Sequence, residues 1–198
     1  MSEPFIIDGG ILAGGLASRM QGKDKGLQLF KHQPMAQWVF QAISPYVRNV
    51  VINCNRNHSA YSKISKTLCS DTIADFPGPL AGIISIIQAS DADYFIISPC
   101  DTPLLSSEFA STMIKALNRQ TQHNKHLPVL LAVCTKEKQQ PLHLCLSRQH
   151  IDSLKRYLAS GEHRVMKWMK ENNAQWIDFT ACAETFKNFN TLEEVSTY

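Results

Sequence analysis

Apolar runs of five to eight residues recur along the chain and predict β-strands. Several of them are almost continuously apolar, which is typical of strands that are covered on both faces. Polar or glycine-rich segments separate the runs and give each one a defined beginning and end. The predicted strands are FIIDGGIL at 5–12, NVVINC at 49–54, YFIISPCD at 94–101, LPVLLAVC at 127–134, PLHLCL at 141–146 and QWIDF at 175–179.

Between most of these runs, apolar residues recur every three or four positions and predict amphipathic helices. The clearest of these helices is predicted at 34–47, with Pro34 in its first turn, where proline is tolerated. The apolar positions of that helix are Met35, Trp38, Val39, Ala42, Ile43 and Tyr46. Gly161 is typical of the end of a helix. The predicted helices cover residues 34–47, 79–90, 107–120, 150–161 and 164–173.

The alternation of strands and helices predicts an α/β fold with a doubly wound, mainly parallel sheet. Helices would cover both faces, which gives a three-layer, Rossmann-like architecture with right-handed crossovers. The run at 141–146 alternates leucines with His143 and Cys145, which predicts a half-exposed strand or an antiparallel edge strand. Ligands of such folds bind at the carboxyl ends of the strands, so the residues that follow strands are the candidates for function.

Composition indicates a folded protein and excludes several classes. The length of 198 residues predicts one domain over 1–198, with two small domains as the alternative. With 44% hydrophobic and 19% charged residues, the composition is that of a folded protein and not of a disordered one. The formal net charge of +3 is weaker than that of a general nucleic-acid binder and suits a small anionic ligand. No apolar stretch approaches the ~20 residues of a membrane span. Six cysteines without a C-x-x-C pair, and no signal-peptide pattern, predict a cytoplasmic protein with free thiols.

A glycine-rich, basic stretch follows the first predicted strand. Its sequence, ILAGGLASRMQGKDKG at 11–26, places Arg19 and Lys25 soon after Gly14 and Gly15. Exposed backbone N–H groups and nearby cations can bind phosphate, although a solvated basic loop is an equally good interpretation. The stretch matches neither the P-loop pattern G-x-x-x-x-G-K-[ST] nor the dinucleotide pattern G-x-G-x-x-G, so neither of those families is indicated.

Acidic and amide residues follow two other predicted strands. Asp101 ends the strand at 94–101, where its carboxylate could hold Mg²⁺ together with substrate phosphates. Opening a turn is the alternative role for this residue, but the presence of a basic glycine-rich loop favours the metal. Asn53 and Asn55 come at the end of the second strand and, taken alone, are more typical of a turn.

A further acidic segment precedes the predicted helix at 79–90. Asp71 and Asp75 lie before this helix, and Gly82 lies in its first turn. The missing side chain of Gly82 leaves room either for a flat ligand or for close helix–strand packing, and the residue type alone slightly favours packing. The chain contains no zinc-ligand spacing of cysteines and histidines and no G-x-S-x-G nucleophile motif.

These motifs, in this order, resemble those of the molybdenum cofactor guanylyltransferases, the bacterial enzymes that attach GMP to the molybdopterin cofactor. LAGGLASRMQGKDKG resembles the family signature L-A-G-G-x-S-x-R-M-x-G-x-D-K, and SPCDTP resembles its metal-binding strand end. The resemblance covers nearly the whole chain and implies the fold of the nucleotide-diphospho-sugar transferases. The chain departs from the family at Gln21 and Gln140, where glycine and histidine are usual. Other matching segments are VVINCNRN, DTIADFPGPLAGI, SGEHRVMKWM and NFNT, the last two resembling motifs that face the pterin.

The resemblance also implies roles for individual residues. Arg19, Lys25 and Asp101 would be catalytic, the two cations on the phosphates and Asp101 on GTP and Mg²⁺. Asn188 and Asn190 would help to bind molybdopterin. The residues implied to bind GTP are Leu12, Ala13, Gly14, Gly15, Lys25, Asn53, Asp71, Gly82 and Asp101.

The implied reaction transfers GMP from GTP to the terminal phosphate of Mo-molybdopterin and releases pyrophosphate. The N-terminal half would bind GTP and the C-terminal half molybdopterin. In-line attack on the α-phosphate needs positioning and charge neutralisation more than a protein nucleophile. The alternatives are a cytidylyl- or sugar-nucleotidyltransferase of the same fold and a catalytically silent nucleotide-binding protein. Further expected partners are molybdopterin-handling proteins and recipient molybdoenzymes or their chaperones, with no nucleic acid and no membrane.

Overall fold

A seven-stranded β-sheet forms the centre of the protein in the computed structural model, which describes residues 5–15, 23–73, 78–122 and 128–197. A separate hairpin consists of β2 (Leu29–Phe30) and β3 (Gln33–Pro34). The strands of the sheet are β1 (Ile7–Leu12), β4 (Val50–Asn53), β5 (Thr67–Cys69), β6 (Tyr94–Pro99), β7 (Leu130–Cys134), β8 (Gln139–Ser147) and β9 (Gln175–Asp178).

The sheet is mainly parallel, as the sequence predicts. Its strand order is β5-β4-β1-β6-β8-β7-β9. The central strand β1 is parallel to both of its neighbours, β4 and β6, and the pairs β4–β5 and β7–β9 are parallel as well. Only β8 runs the other way, antiparallel to both β6 and β7. The carboxyl ends of β1, β4, β5 and β6 therefore meet at one edge of the sheet.

Helices cover both faces of the sheet. On β6, Tyr94 and Ile96 belong to an apolar cluster with residues of α1 and α4, whereas Phe95 and Ile97 belong to a second cluster with residues of α3, α5 and α6. This arrangement confirms the doubly wound, three-layer α/β fold. Within the described residues, no helix is long and apolar enough to cross a membrane. The helices are α1 (Met35–Ile43), α2 (His58–Tyr61), α3 (Pro79–Gln88), α4 (Glu108–Thr121), α5 (Ile151–Ala159), α6 (Val165–Glu171) and α7 (Leu192–Ser196).

The predicted strands and helices are all present, with ends that differ by a few residues. The first helix stops at Ile43 and not at residue 47, because Pro45 lies in the 3₁₀ turn that follows and has no N–H to continue the helix. Tyr46 is consequently 40% exposed and does not extend the apolar face of α1. Pro34 belongs to β3 and precedes the helix, so the prediction that it lies in the first turn is wrong.

The prediction for the segment at 141–146 is right about the antiparallel direction and wrong about the exposure and the position in the sheet. The strand is antiparallel, but it lies inside the sheet between β6 and β7, so it is neither an edge strand nor half exposed. His143 and Cys145, the two residues that break the leucine pattern, are 1% and 0% exposed. The imidazole is accommodated because its Nε2 lies 3.3 Å from Thr102 Oγ1 and its ring packs edge-on against Phe109 and Phe186. All six cysteines are free thiols, as predicted.

Candidate active site

A cavity of about 390 Å³ opens at the carboxyl ends of β1, β4 and β6. Leu12, Asn53 and Pro99 are the last residues of β1, β4 and β6. Pro79 is the first residue of α3, so three strands of the sheet and one helix meet here. The residues that line the cavity are Leu12, Ala13, Gly14, Gly15, Lys25, Asn53, Asp71, Gly78, Pro79, Gly82, Pro99, Cys100, Asp101 and Leu142. The cavity therefore brings together every residue that the resemblance implies for GTP.

Lys25 and Asp101 form an ion pair on one side of this cavity. The Lys25 Nζ donates to Asp101 Oδ2, and the side chains are 24% and 10% exposed. Asp101 lies two residues after the end of β6, and its neighbour Cys100 donates its backbone N–H to Leu12 O at 3.1 Å. The two strand ends are thereby held together, which fixes the carboxylate in the same cavity as Gly14 and Gly15. Burial raises the pKa of the adjacent Cys100 thiol well above its usual value, so this thiol stays protonated.

A segment from the C-terminal part of the chain contacts the same ion pair. Asn188 Nδ2 donates to Asp101 Oδ1 at 2.9 Å, and Asn190 Oδ1 accepts from Lys25 Nζ at 2.7 Å. Between these two, Phe189 donates its backbone N–H to Asp101 O at 2.9 Å. The structure thus places Asn188 and Asn190 against Lys25 and Asp101, although 87 residues separate Asn188 from Asp101 and 165 separate Asn190 from Lys25.

A network of amide and carboxylate side chains occupies the other side of the cavity. Asn53 is 2% exposed and is the last residue of β4, so the interpretation of this residue as part of a turn is wrong. Its Nδ2 donates to Asp71 Oδ1 at 2.9 Å, and Asn55 Nδ2 donates to Asp71 Oδ2 at 2.7 Å. Asp71 comes just after β5, the neighbour of β4 in the sheet, which explains why these polar side chains meet.

Gly82 is required where α3 passes over the ends of β1 and β4. A Cβ atom at this position would lie 2.6 Å from Asn53 Oδ1 and 2.8 Å from Leu12 Cδ2, well inside normal contact distance. The interpretation of close helix–strand packing therefore holds for this residue. Gly82 also lines the cavity, so the space for a ligand and the packing contact lie on the same short stretch of helix.

Asp24 is a buried carboxylate next to Lys25 that sequence reasoning did not single out. It is 7% exposed, and Tyr61 Oη donates to its Oδ1 at 2.5 Å. Asn57 Nδ2 donates to its Oδ2 at 3.0 Å, and Arg56 Nε lies 3.5 Å from the same oxygen. These partners all come from the segment after β4, so that segment anchors the residue that precedes Lys25. The run N-R-N at residues 55–57 was the available signal, because three successive polar residues follow a buried strand.

Some predicted features lie elsewhere or outside the described residues. Arg19, Gln21 and Asp75 fall outside the described ranges. The segment SGEHRVMKWM contributes no residue to the cavity lining as described. Its Glu162 pairs with Lys167 at 2.5 Å and with Arg164 at 3.1 Å, and these hydrogen bonds lower the pKa of Glu162 to about 2.

Comparison with known proteins identifies a family of nucleotidyltransferases to which this chain is similar. Residues 9–175 match the model of the MobA-like NTP transferase domain. The chain belongs to this family. It is 35% identical to the molybdenum cofactor guanylyltransferase of Haemophilus influenzae, with 93% of each chain covered. It is also 36% identical to the enzyme of that name from Shewanella sediminis, with 95% of this chain and 93% of the relative covered.

Solved structures share the fold at low sequence identity. The crystal structure of molybdopterin-guanine dinucleotide biosynthesis protein A from Archaeoglobus fulgidus is similar with a TM-score of 0.73 and 17% identity, covering 96% of this chain and 95% of that one. The 4-diphosphocytidyl-2C-methyl-D-erythritol synthase of Anaerococcus prevotii is similar with a TM-score of 0.72 and 11% identity, covering 98% and 94%. Both confirm the nucleotide-diphospho-sugar transferase fold; the match to a cytidylyl enzyme shows that this fold alone does not select the nucleotide.

Proposed function

We propose that this protein transfers GMP from GTP to the terminal phosphate of molybdopterin cofactor and releases pyrophosphate. The observation that carries the proposal is the joint contact of Lys25 and Asp101 with Asn188 and Asn190, since it puts a candidate phosphate site and a candidate acceptor site side by side. Relatives named molybdenum cofactor guanylyltransferase, similar over almost the whole chain, support the same conclusion.

The lining of the cavity suits a guanosine triphosphate. Backbone groups of Leu12, Ala13, Gly14 and Gly15 would hold the nucleotide at the end of β1, because glycines there leave the N–H groups accessible. Asn53 and Asp71 would contact the guanosine part, with Gly82 leaving room beside them. Asn188 and Asn190 would contact the pterin side, so the N-terminal half of a single domain would bind GTP and the C-terminal half molybdopterin.

The donor set fits a Mg²⁺ ion that is bound together with the triphosphate. No group of three or more His, Cys, Asp or Glu side chains in the described part of the chain could hold a metal ion without other ligands. Mg²⁺ commonly takes one or two carboxylates plus substrate phosphates and water, and Asp101 supplies such a carboxylate. When bound, Mg²⁺ would neutralise charge on the phosphates. Lys25 would have to leave Asp101 Oδ2, and it would then be free to contact the phosphates.

The residues present can support the transfer without a protein nucleophile. A terminal phosphate is largely ionised near neutral pH, so its oxygen can form the new bond to the α-phosphorus as the bond to pyrophosphate breaks. Lys25 and Arg19 would stabilise the charge on the leaving group. Burial raises the pKa of the Cys100 thiol, so this residue offers no thiolate as a nucleophile. The cytoplasmic location, and partners such as molybdopterin-handling proteins or recipient molybdoenzymes, stay predictions.

The proposal is tested by replacing Lys25 with Ala and Asp101 with Asn. We expect each variant to lower GMP transfer, followed as pyrophosphate release with GTP, Mg²⁺ and molybdopterin cofactor, by about 10²- to 10³-fold, because each removes a charge from the reacting phosphates. Lys115→Ala, which removes an exposed lysine on α4, is the matched control and should keep wild-type activity.

Binding of different nucleotides separates the proposal from its nearest alternative. We expect GTP with Mg²⁺ to raise the melting temperature of the wild-type protein more than ATP, UTP or CTP does. Stabilisation by CTP alone would contradict guanylyl transfer and would favour a cytidylyltransferase. Stabilisation by GTP without pyrophosphate release would instead indicate a silent nucleotide-binding protein.

A further inference from the structure

The side chain of Asn55 connects two residues of the cavity lining, Asp71 and Gly14, without lining the cavity itself. Asn55 Nδ2 donates to Asp71 Oδ2 at 2.7 Å and to the backbone oxygen of Gly14 at 3.1 Å. Asn55 Oδ1 accepts from the backbone N–H of Asp71 at 2.8 Å. Among the described residues that line the cavity, Asp71 and Gly14 are present and Asn55 is not. One amide thus holds the Asp71 carboxylate and the backbone of Gly14 in a fixed relation.

These contacts fix how the Asp71 carboxylate faces the cavity. Asn53 Nδ2 occupies one acceptor position on Oδ1, and Asn55 Nδ2 occupies one on Oδ2. A carboxylate offers about four acceptor positions, two on each oxygen. One position on each oxygen is therefore left for a ligand, and the two amides prevent the carboxylate from rotating away from it. Two N–H groups side by side on a flat ligand match this arrangement.

Guanine presents such a pair of donors. Its N1–H and its 2-amino group lie next to each other on the Watson–Crick edge, and both can donate to one carboxylate. Adenine and cytosine each combine one amino donor with a ring-nitrogen acceptor on that edge, and uracil has a single N–H between two carbonyls. Hypoxanthine, the base of inosine triphosphate (ITP), keeps N1–H and lacks the 2-amino group. ITP therefore differs from GTP only in the second contact that Asp71 can accept.

We infer that Asn55 is a specificity-determining positioning residue: it orients Asp71 so that both carboxylate oxygens accept from guanine. The inference rests on the proposed function, because it takes the cavity to bind GTP. Asn55 acts through Asp71 and does not touch the nucleotide. Its loss should therefore reduce discrimination between GTP and ITP, whereas a merely structural role would weaken both nucleotides equally.

The test measures the dissociation constants of GTP and ITP, each with Mg²⁺, for the wild type, Asn55→Ala and Asn55→Asp. Asn55→Asp keeps the size of the side chain and the acceptor for the Asp71 N–H, but it places a second carboxylate beside Asp71. Asn49→Ala is the matched control, because Asn49 Nδ2 makes a similar bond to Thr67 Oγ1, at 3.0 Å, at the opposite end of the β4–β5 pair. Thermal melting of each variant shows whether it is folded.

We expect the wild type to bind GTP at least about tenfold more tightly than ITP, because a hydrogen bond to a charged group is worth about that much. In both Asn55 variants GTP binding should weaken by about tenfold or more. The GTP-to-ITP ratio of affinities, which is the ITP dissociation constant divided by that of GTP, should fall towards one. Asn49→Ala should keep the wild-type ratio even if it melts at a lower temperature. If Asn55→Ala does not fold, Asn55→Asp decides the question with the same measurement.

Two results would overturn the inference. A wild-type GTP-to-ITP ratio retained in a folded Asn55 variant would show that Asn55 does not orient Asp71 for the base. An equal loss of the ratio in Asn49→Ala would show that any weakening of this strand pair has the same effect. A wild-type protein that binds CTP as tightly as GTP would instead contradict the proposed function itself. Failure of the inference and failure of the proposed function can therefore be told apart.

Discussion

Thr102, the residue after Asp101, is hydrogen-bonded to a buried imidazole. His143 Nε2 lies 3.3 Å from Thr102 Oγ1, and burial lowers the pKa of His143 to about 3. The folded protein therefore keeps this histidine neutral at pH values where an exposed histidine is protonated. A buried, neutral imidazole beside the residue that follows Asp101 makes the stability of this region sensitive to pH.

We predict that His143 contributes to destabilisation in mild acid. The unfolded chain takes up a proton near pH 6.5 and the folded chain does not, so stability falls as the pH drops from about 6.5 towards 3. Between pH 7.5 and 5 the contribution amounts to about 2 kcal/mol. Urea unfolding at these two pH values should show a smaller pH dependence for His143→Leu than for the wild type.

The control for this prediction is a histidine on the surface. His163→Gln replaces an exposed side chain and should leave the pH dependence of the urea midpoint unchanged. The pKa of His150 is also lowered by burial, so the His143 variant should keep part of the effect. If stability depends on pH in His143→Leu as it does in the wild type, His143 does not contribute to destabilisation in mild acid.

At the scale of elements, the position of α3 against the ends of β1 and β4 depends on Gly82. We predict that Gly82→Ala lowers the free energy of unfolding by about 1–2 kcal/mol, because overpacking outweighs the gain in helix propensity. The added Cβ would lie 2.6 Å from Asn53 Oδ1 and would therefore displace the Asn53 side chain. GTP binding should weaken because Asn53 is proposed to contact the guanosine. Urea unfolding and GTP titration measure the two effects.

Gly15→Ala serves as the control for folding in the same experiment. A Cβ at Gly15 meets nothing within 4 Å, so this variant should unfold at the wild-type urea concentration. The explanation of Gly82 by packing fails if Gly82→Ala is at least as stable as the wild type.

Elements with several turns or a long apolar run could be predicted from the sequence, and very short ones could not. The pattern indicates α3 and β6 because ten and six residues carry a clear periodicity or apolar run. The three residues of β5 and the two of β2 carry too little pattern to be recognised. The place of β8 inside the sheet also escaped prediction, since burial of His143 depends on Thr102 and two phenylalanine rings that are distant in sequence.

At the scale of the whole molecule, Phe189 connects the C-terminal segment both to the site and to an apolar cluster. Phe189 is fully buried with Phe30, Met35 and Val195, and its ring lies 5.1 Å from that of Phe30. This cluster joins the hairpin, α1 and α7, and the Phe189 N–H binds Asp101 O. Packing among residues that do not line the cavity thus helps to determine where Asn188 and Asn190 lie.

We predict that Phe189→Ala lowers GMP transfer more strongly than GTP binding. Loss of the ring should reduce the free energy of unfolding by about 3 kcal/mol or more and should loosen Asn188 and Asn190. The nucleotide contacts proposed for Gly14 and Gly15 should persist. The measurements are pyrophosphate release and the dissociation constant of GTP, both below the melting temperature of the variant. Val195→Ala is the control, because Val195 packs in the same cluster but is not next to Asn188 and Asn190, and this variant should retain more activity. Equal losses of GMP transfer and GTP binding in Phe189→Ala would contradict the prediction.

The nucleotide side of the candidate site was easier to predict than its supports. Lys25 and Asp101 follow strands, where the fold class directs attention, and their charges suggest phosphate and metal. The supporting roles of Asn55 and Tyr61 depend on which side chains meet after folding, and a single sequence does not show such contacts. For Asn188 and Asn190 only the resemblance pointed to the site, because polar residues in a late loop carry no pattern of their own.

The outermost strands of the sheet have a consequence for how the protein behaves in a crowded solution. β5 and β9 expose only three and four residues of backbone at the two edges of the seven-stranded sheet. An edge this short offers another chain few N–H and C=O groups to pair with, and natural proteins use short edges to avoid joining sheet to sheet. The long, strongly apolar strands that would make the best templates for aggregation, such as β6, have a neighbour on each side.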